Sequence, residues 1–187
     1  MKRTLLGAIF GGLLIFLWQF LSWTMLDLHR PAQNYTPNEG VILQTLAANL
    51  PEEGGYMLPG MPEGASREEC EKKMTEANGK AWASIQYHKS LKANTSDMVM
   101  NMIRGLLANI VMIALLLWIL NKISMKNFGT MFTSCLIIGL VTFINQPYTG
   151  NIWYNFFDIW AYFIDSLAGW ALCGIWLGWL YNRRPTV

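Results

Sequence analysis

Two aspartates seven residues apart, Asp158 and Asp165, interrupt an otherwise apolar stretch late in the sequence. Seven residues is nearly two helical turns, so on a helix the two carboxyls share one face. Ionisable groups inside apolar segments of membrane length are costly and are functional candidates by default. Counting about 1.5 Å per helical residue places Asp165 level with Gln19 and Asn109, which lie in two other apolar runs. Asp165, Gln19 and Asn109 can therefore form one polar layer. That layer is either a hydrogen-bonded clasp fixing helix packing or a site for a proton, an ion or a polar headgroup. Asp158 and Arg104 each fall about one turn inside a span boundary. They either pair across two helices or separately reach the headgroup region.

Other chemistry finds little support. The sequence holds no Ser/His/Asp nucleophile set, phosphate-binding glycine loop, His-Glu-x-x-His motif or paired-cysteine zinc spacing. A protein that is not an enzyme and needs no cofactor is expected. His29 and His88 share one side with Met98, Met100 and Met102, and thioethers suit Cu(I). Those methionines open a helix, however, where alternate residues face different ways, so no metal site is expected. Cys135 and Cys173 fall in apolar runs and read as packing residues. Cys70 lies apart from them, so no bridge is expected.

The elements that position these groups follow from composition. Of 187 residues, 53% are hydrophobic and only 14% charged, with a net charge of +2. That excludes a disordered chain and offers no basic footprint for nucleic acid. A span needs about 20 apolar residues. Four stretches qualify: Thr4 to Leu26, Met98 to Leu120, Phe128 to Ile144 and Trp153 to Tyr181. No small-x-small cleavage site follows the first, which is read as a retained helix. Lys2, Arg3, Lys122, Lys126, Arg183 and Arg184 flank the spans on one side, with no acidic residue among them. By the positive-inside rule both termini are cytoplasmic.

The domain division expected is 1–26 as the first span, 27–97 as an extracytoplasmic cap, and 98–187 as spans two to four. In the cap, Thr36-Pro37-Asn38-Glu39 and Ser66-Arg67-Glu68-Glu69 both have capping-box spacing. The first predicts a helix to about Asn49 with Val41, Ile42, Leu46 and Leu50 on an apolar face. The second predicts a polar helix to about Asn78. Short strands are expected near Gly54–Pro59 and Trp82–His88. The fold class is thus a membrane all-α bundle of four transmembrane helices with a small α+β extracytoplasmic cap. Gly7 with Gly11 and Gly174 with Gly178 have GxxxG spacing, which suits contact between the first and fourth spans or homodimerisation. Trp18, Trp23, Trp153, Tyr154 and Trp160 read as an aromatic belt at one interface, Trp179 and Tyr181 at the other.

Several segments together carry a resemblance. They are Leu6-Gly7-Ala8-Ile9-Phe10-Gly11-Gly12, Phe16-Leu17-Trp18, Ser22-Trp23, Pro37-Asn38-Glu39, Leu50-Pro51-Glu52, Gly55-Tyr56-Met57-Leu58-Pro59-Gly60, and Phe163 to Gly178. The chain resembles a functionally uncharacterised family of small four-helix bacterial inner-membrane proteins. The resemblance implies a bacterial cytoplasmic-membrane setting and carries no activity or site residue. The function expected is a non-enzymatic accessory or scaffold protein of that membrane. Its cap would meet another membrane or periplasmic protein. The alternative is a small oligomeric carrier or channel using Asp165 with Gln19 and Asn109. Membrane lipids are the expected partners in either case.

Overall fold

A computed structural model describes residues 2–91, 94–124 and 126–182. Arg183 and Arg184, two of the six flanking cations, lie outside the described residues. The chain divides into two units, Met1–Asn34 with Asn94–Val187, and Tyr35–Ala93.

The first unit is helical. It contains α1 (Lys2–Thr24), α4 (Thr95–Leu120), α5 (Phe128–Phe143), α6 (Thr149–Trp153) and α7 (Ile159–Asn182). A π turn, Ile144–Tyr148, joins α5 to α6 into one helix of 26 residues. The span expected from sequence ended at Ile144, with Asn145 to Asn155 as an uncharged turn; instead the helix runs on through Pro147. The wider π register accommodates a residue that has no amide hydrogen to donate, so the helix continues. The fourth span correspondingly starts at Ile159, six residues later than expected. All four helices are long and apolar enough to cross a membrane, and at most 33% of any span's apolar window is buried. Leu5, Val111, Trp118, Ile137 and Trp160 are among the large side chains left facing outward. That much exposed apolar surface is untenable in water and suits lipid.

The helices pack in a row, α4 on α1, α1 on α7 and α7 on α5, without comparable packing of α4 on α5. The core of the row contains Ile15, Ile113, Leu117, Met131, Trp170, Cys173 and Leu177. Close approach depends on glycine. A Cβ on Gly12 would lie 2.7 Å from the Ile110 backbone, and one on Gly139 would lie 2.7 Å from the Ser166 carbonyl oxygen. Gly7 and Gly11 face Leu117 and Ile113 of α4 together with Leu177 and Cys173 of α7. Gly174 and Gly178 instead face Cys135, Phe132 and Phe128 of α5. The second GxxxG pair therefore serves the α7–α5 contact, not the contact with the first span.

The second unit contains α2 (Glu39–Asn49), β1 (Gly54–Leu58), α3 (Arg67–Ala77) and β2 (Ala83–Tyr87). The strands pair antiparallel, with Tyr56 opposite Ile85. The expected order of elements is present. The Thr36 capping box is not: α2 starts at Glu39, its N-cap Asn38 makes no side-chain cap bond, and no residue of α2 is buried. The Ser66 box is complete, with the Ser66 side chain accepting from the Glu69 amide and the Glu69 carboxylate accepting from the Ser66 amide. The Ser66 amide, and secondarily its hydroxyl, hold the Glu69 carboxyl below the usual carboxylate range. A depressed carboxyl stabilises the fold above its unfolded pKa and loses that contribution as pH falls through the folded value. Cα chemical shifts of Arg67 to Cys70 should therefore lose helical character at acid pH. Ser66→Ala should raise the midpoint, and an unmoved midpoint would count against the box.

Candidate functional site

The site begins where α1 stops. Asp27 adopts φ +53°, a left-handed conformation that Asp tolerates better than most residues. The chain turns back there, and the Leu28 amide donates to the Ser22 carbonyl at 3.1 Å. Arg30–Ala32, with Pro31 inside it, then forms a short 3-10 turn. His29, held between the reversal and this turn, stacks on Trp23 of α1 with ring centroids 3.8 Å apart and planes 9° from parallel. Tyr162 of α7 packs its ring against the same imidazole edge-on at 4.9 Å.

The imidazole joins the two aspartates. His29 Nδ1 lies 2.7 Å from Asp158 Oδ2, and His29 Nε2 lies 3.0 Å from Asp165 Oδ2. The other oxygen of Asp165 accepts from the Trp18 indole Nε1 at 3.0 Å. His29 is 2% exposed and Asp158 6%, and the Asp165 side chain is 14% exposed. A buried carboxylate without a partner is expensive; each of these has the same imidazole as partner. Asp158 immediately precedes α7, and its carbonyl accepts from the Ala161 and Tyr162 amides. Asp165 sits two turns further on, so the heptad spacing spans the width of one ring and its two hydrogen bonds.

The two carboxylates front different hollows. Asp158 lines a cleft of about 320 Å³ with Gln33, Asn155, Phe156 and Phe157. Asp165 lines a groove of about 410 Å³ with Gln19, Gln146, Ser166 and Trp170. Trp23 and Tyr162 line both and form the partition between them. The groove draws its walls from α1, Met112 of α4, the α5 end and α7. It occupies the gap that the row of helices leaves between α4 and α5.

The residues singled out from sequence are placed as follows. Asn109 donates to Gln19 Oε1 at 2.8 Å, so these two are joined. Asp165 does not join them by a hydrogen bond; its carboxylate is taken by Trp18 and His29, while Gln19 shares its groove. Arg104 is exposed, and among the described residues it makes no ion pair; Asp158 pairs with His29 instead. Trp18 and Trp23 belong to the site as well as to the aromatic end of the bundle. His29 was considered from sequence only as a metal ligand. Among the described residues no group of three His, Cys, Asp or Glu is arranged to hold a metal ion. The reason lies in the geometry, because the opposite ring nitrogens send the two carboxylates to opposite sides. Cys135 and Cys173 are buried free thiols, and Cys70 is also free.

Comparison with known proteins finds no matching family model, no matching curated protein and no matching solved structure.

Proposed function

We propose that this chain is a small, non-enzymatic proton-handling carrier of the bacterial cytoplasmic membrane. The cleft of Asp158 faces outward, and both termini are cytoplasmic. The observation that supports the reading is the single imidazole bridging one buried and one part-buried carboxylate that front separate hollows. A proton arriving on Asp158 Oδ2 passes to His29 Nδ1 while the Nε2 proton passes to Asp165 Oδ2. One O–H bond and one N–H bond break, one of each forms, and the ring carries no net gain. Among the described residues the titratable groups facing the imidazole are Asp158, just before α7, and Asp165 and Tyr162 of α7.

Each transfer leaves the ring in the opposite tautomer. Renewed transfer requires the imidazole to rotate between Trp23 and Tyr162, or the proton to return by the same route. That gate suits slow, stepwise carriage and not an open channel. The test is proton uptake by vesicles containing the purified protein, read with an internal pH dye under a potassium-valinomycin potential. His29→Gln keeps a hydrogen-bonding side chain between the carboxylates but cannot relay. It should slow the protein-dependent rate about 100-fold, the scale of a lost proton-transfer group. A rate equal to that of empty vesicles for the unaltered protein would overturn the reading.

A second reading, an accessory protein whose external segment binds a membrane or periplasmic protein, is favoured by one observation. Helix α2 leaves Val41, Ile42 and Leu43 exposed. A different protein co-purifying in fixed proportion in mild detergent would favour it. A discrete homo-oligomer without partners would favour carriage.

A further inference from the structure

We propose that the groove beneath Asp165 binds an ammonium group, either free or as a lipid headgroup. This rests on reading Asp165 as the groove-side end of the proton chain, so that proton and ammonium are alternative occupants of one carboxylate. Three features of the groove select for that chemistry. Its acidic group is the part-buried Asp165 carboxyl, and among the described residues no Lys or Arg lines it. Anions are therefore repelled and cations attracted.

Its walls are aromatic. Trp23, Tyr162 and Trp170 all line it. One face of the Trp23 indole is covered by His29, and the residue remains 45% exposed. A carboxyl set among indole and phenol rings favours organic ammonium over a bare, strongly hydrated metal ion, because the ring quadrupole attracts a weakly hydrated cation.

The remaining polar groups accept or orient N–H bonds. Gln19 is fixed by the Asn109 amide, which donates to its Oε1 and leaves that oxygen a second lone pair. Gln146, on the π turn, supplies another amide. The volume, about 410 Å³, falls in the range of small-ligand sites. The groove lies in the gap between α4 and α5, whose apolar flanks are exposed. A headgroup could therefore enter with its acyl chains lying along those flanks.

The test uses the whole protein in detergent micelles, with tryptophan fluorescence as the readout. It is titrated with ethanolamine hydrochloride, tetramethylammonium chloride, sodium chloride at equal ionic strength, and tert-butanol. Saturable quenching or shift is expected with the two ammonium salts and not with sodium or tert-butanol. Asp165→Asn should weaken apparent affinity about tenfold or more, the scale of a lost charge-assisted hydrogen bond. Thr142→Phe fills the groove from α5 while leaving His29, Asp158 and Asp165 unsubstituted, and should abolish the response even if Asp165→Asn folds poorly.

Nanodiscs of phosphatidylethanolamine and of phosphatidylglycerol separate the two sources. If the native occupant is a headgroup, free ethanolamine responds only in phosphatidylglycerol. If it is a free amine, both discs respond alike. An equal response to tert-butanol, or one that survives Thr142→Phe unchanged, overturns the ammonium site. Proton uptake that persists alongside such a failure leaves the relay standing. Ammonium binding without proton uptake removes the relay and leaves a binding site.

Discussion

Replacing His29 by alanine is expected to destabilise the protein by about 3 to 5 kcal/mol, the scale on which removing one partner of a buried ion pair acts. Asp158 and Asp165 are both largely enclosed and share a single partner, with ring nitrogens at 2.7 and 3.0 Å. Without the ring, two carboxyls are left facing a common void, and the stacking on Trp23 disappears with it, worth about 0.5–1.5 kcal/mol beyond its buried area. Asp158→Ala should cost much less in the His29→Ala background than alone, because the pair acts as a unit. Thermal and denaturant unfolding in detergent measure both quantities. A His29→Ala loss below about 1 kcal/mol, or strict additivity with Asp158→Ala, would mean that the three side chains do not form the bonded chain described.

The second large effect falls on packing. Gly12→Leu should force α1 and α4 apart, since the added Cβ alone would meet the Ile110 backbone amide nitrogen and Cα at 2.7 Å. Backbone cannot move aside as a side-chain tip can, so the cost should reach or exceed the upper end of the usual overpacking range, about 3 kcal/mol. The Asn109–Gln19 hydrogen bond, made from the position next to Ile110, should open with it. Gly40→Leu is the control, because nothing lies within 4 Å of the Cβ it would carry. Equal unfolding midpoints for the two variants would show that α1 and α4 are not in backbone contact at Gly12. Gly139→Ala should behave like a milder Gly12→Leu at the α5–α7 contact.

Much of this architecture was legible in the residues. Hydropathy located four spans because about 20 apolar residues per span leave little ambiguity. The Ser66 capping box was legible because it is local: two side chains and two amides within four residues. The Thr36 box had the same spacing and did not form, since spacing licenses a cap without supplying the packing that α2 lacks. The turn expected beyond Ile144 is a continuous helix instead, carried through Pro147 by a π turn. A proline argues against ordinary α-helix, but it does not exclude a π turn.

The site itself was half legible. Asp165 and Asp158 were marked by their apolar surroundings, yet their partner lay 136 and 129 residues away in sequence. Nothing periodic announces that a loop folds back onto the helix it has just left. The usable signs were small: an Asp able to adopt a left-handed turn just after α1, a histidine two residues on, and an indole at Trp23 within reach of it. The assignment of Trp18 and Trp23 to an interfacial belt used their type and depth. Their hydrogen bond and ring stacking depend on tertiary packing that single-span reasoning cannot reach. The glycines show the same division. GxxxG spacing identified close-packed faces, but which helix each face meets was set by the row α4–α1–α7–α5.

In the proposed relay His29 passes a proton between Asp158 and Asp165, beyond clamping α1 to α7. The most direct measurement compares His29→Gln with the unaltered protein in one vesicle preparation, recording unfolding midpoint and potential-driven proton uptake together. The midpoint should fall modestly and the uptake rate about 100-fold, because glutamine can bridge two carboxyls but cannot pass a proton through itself. Uptake that survives in proportion to the folded protein would contradict it and leave the imidazole as a structural clasp.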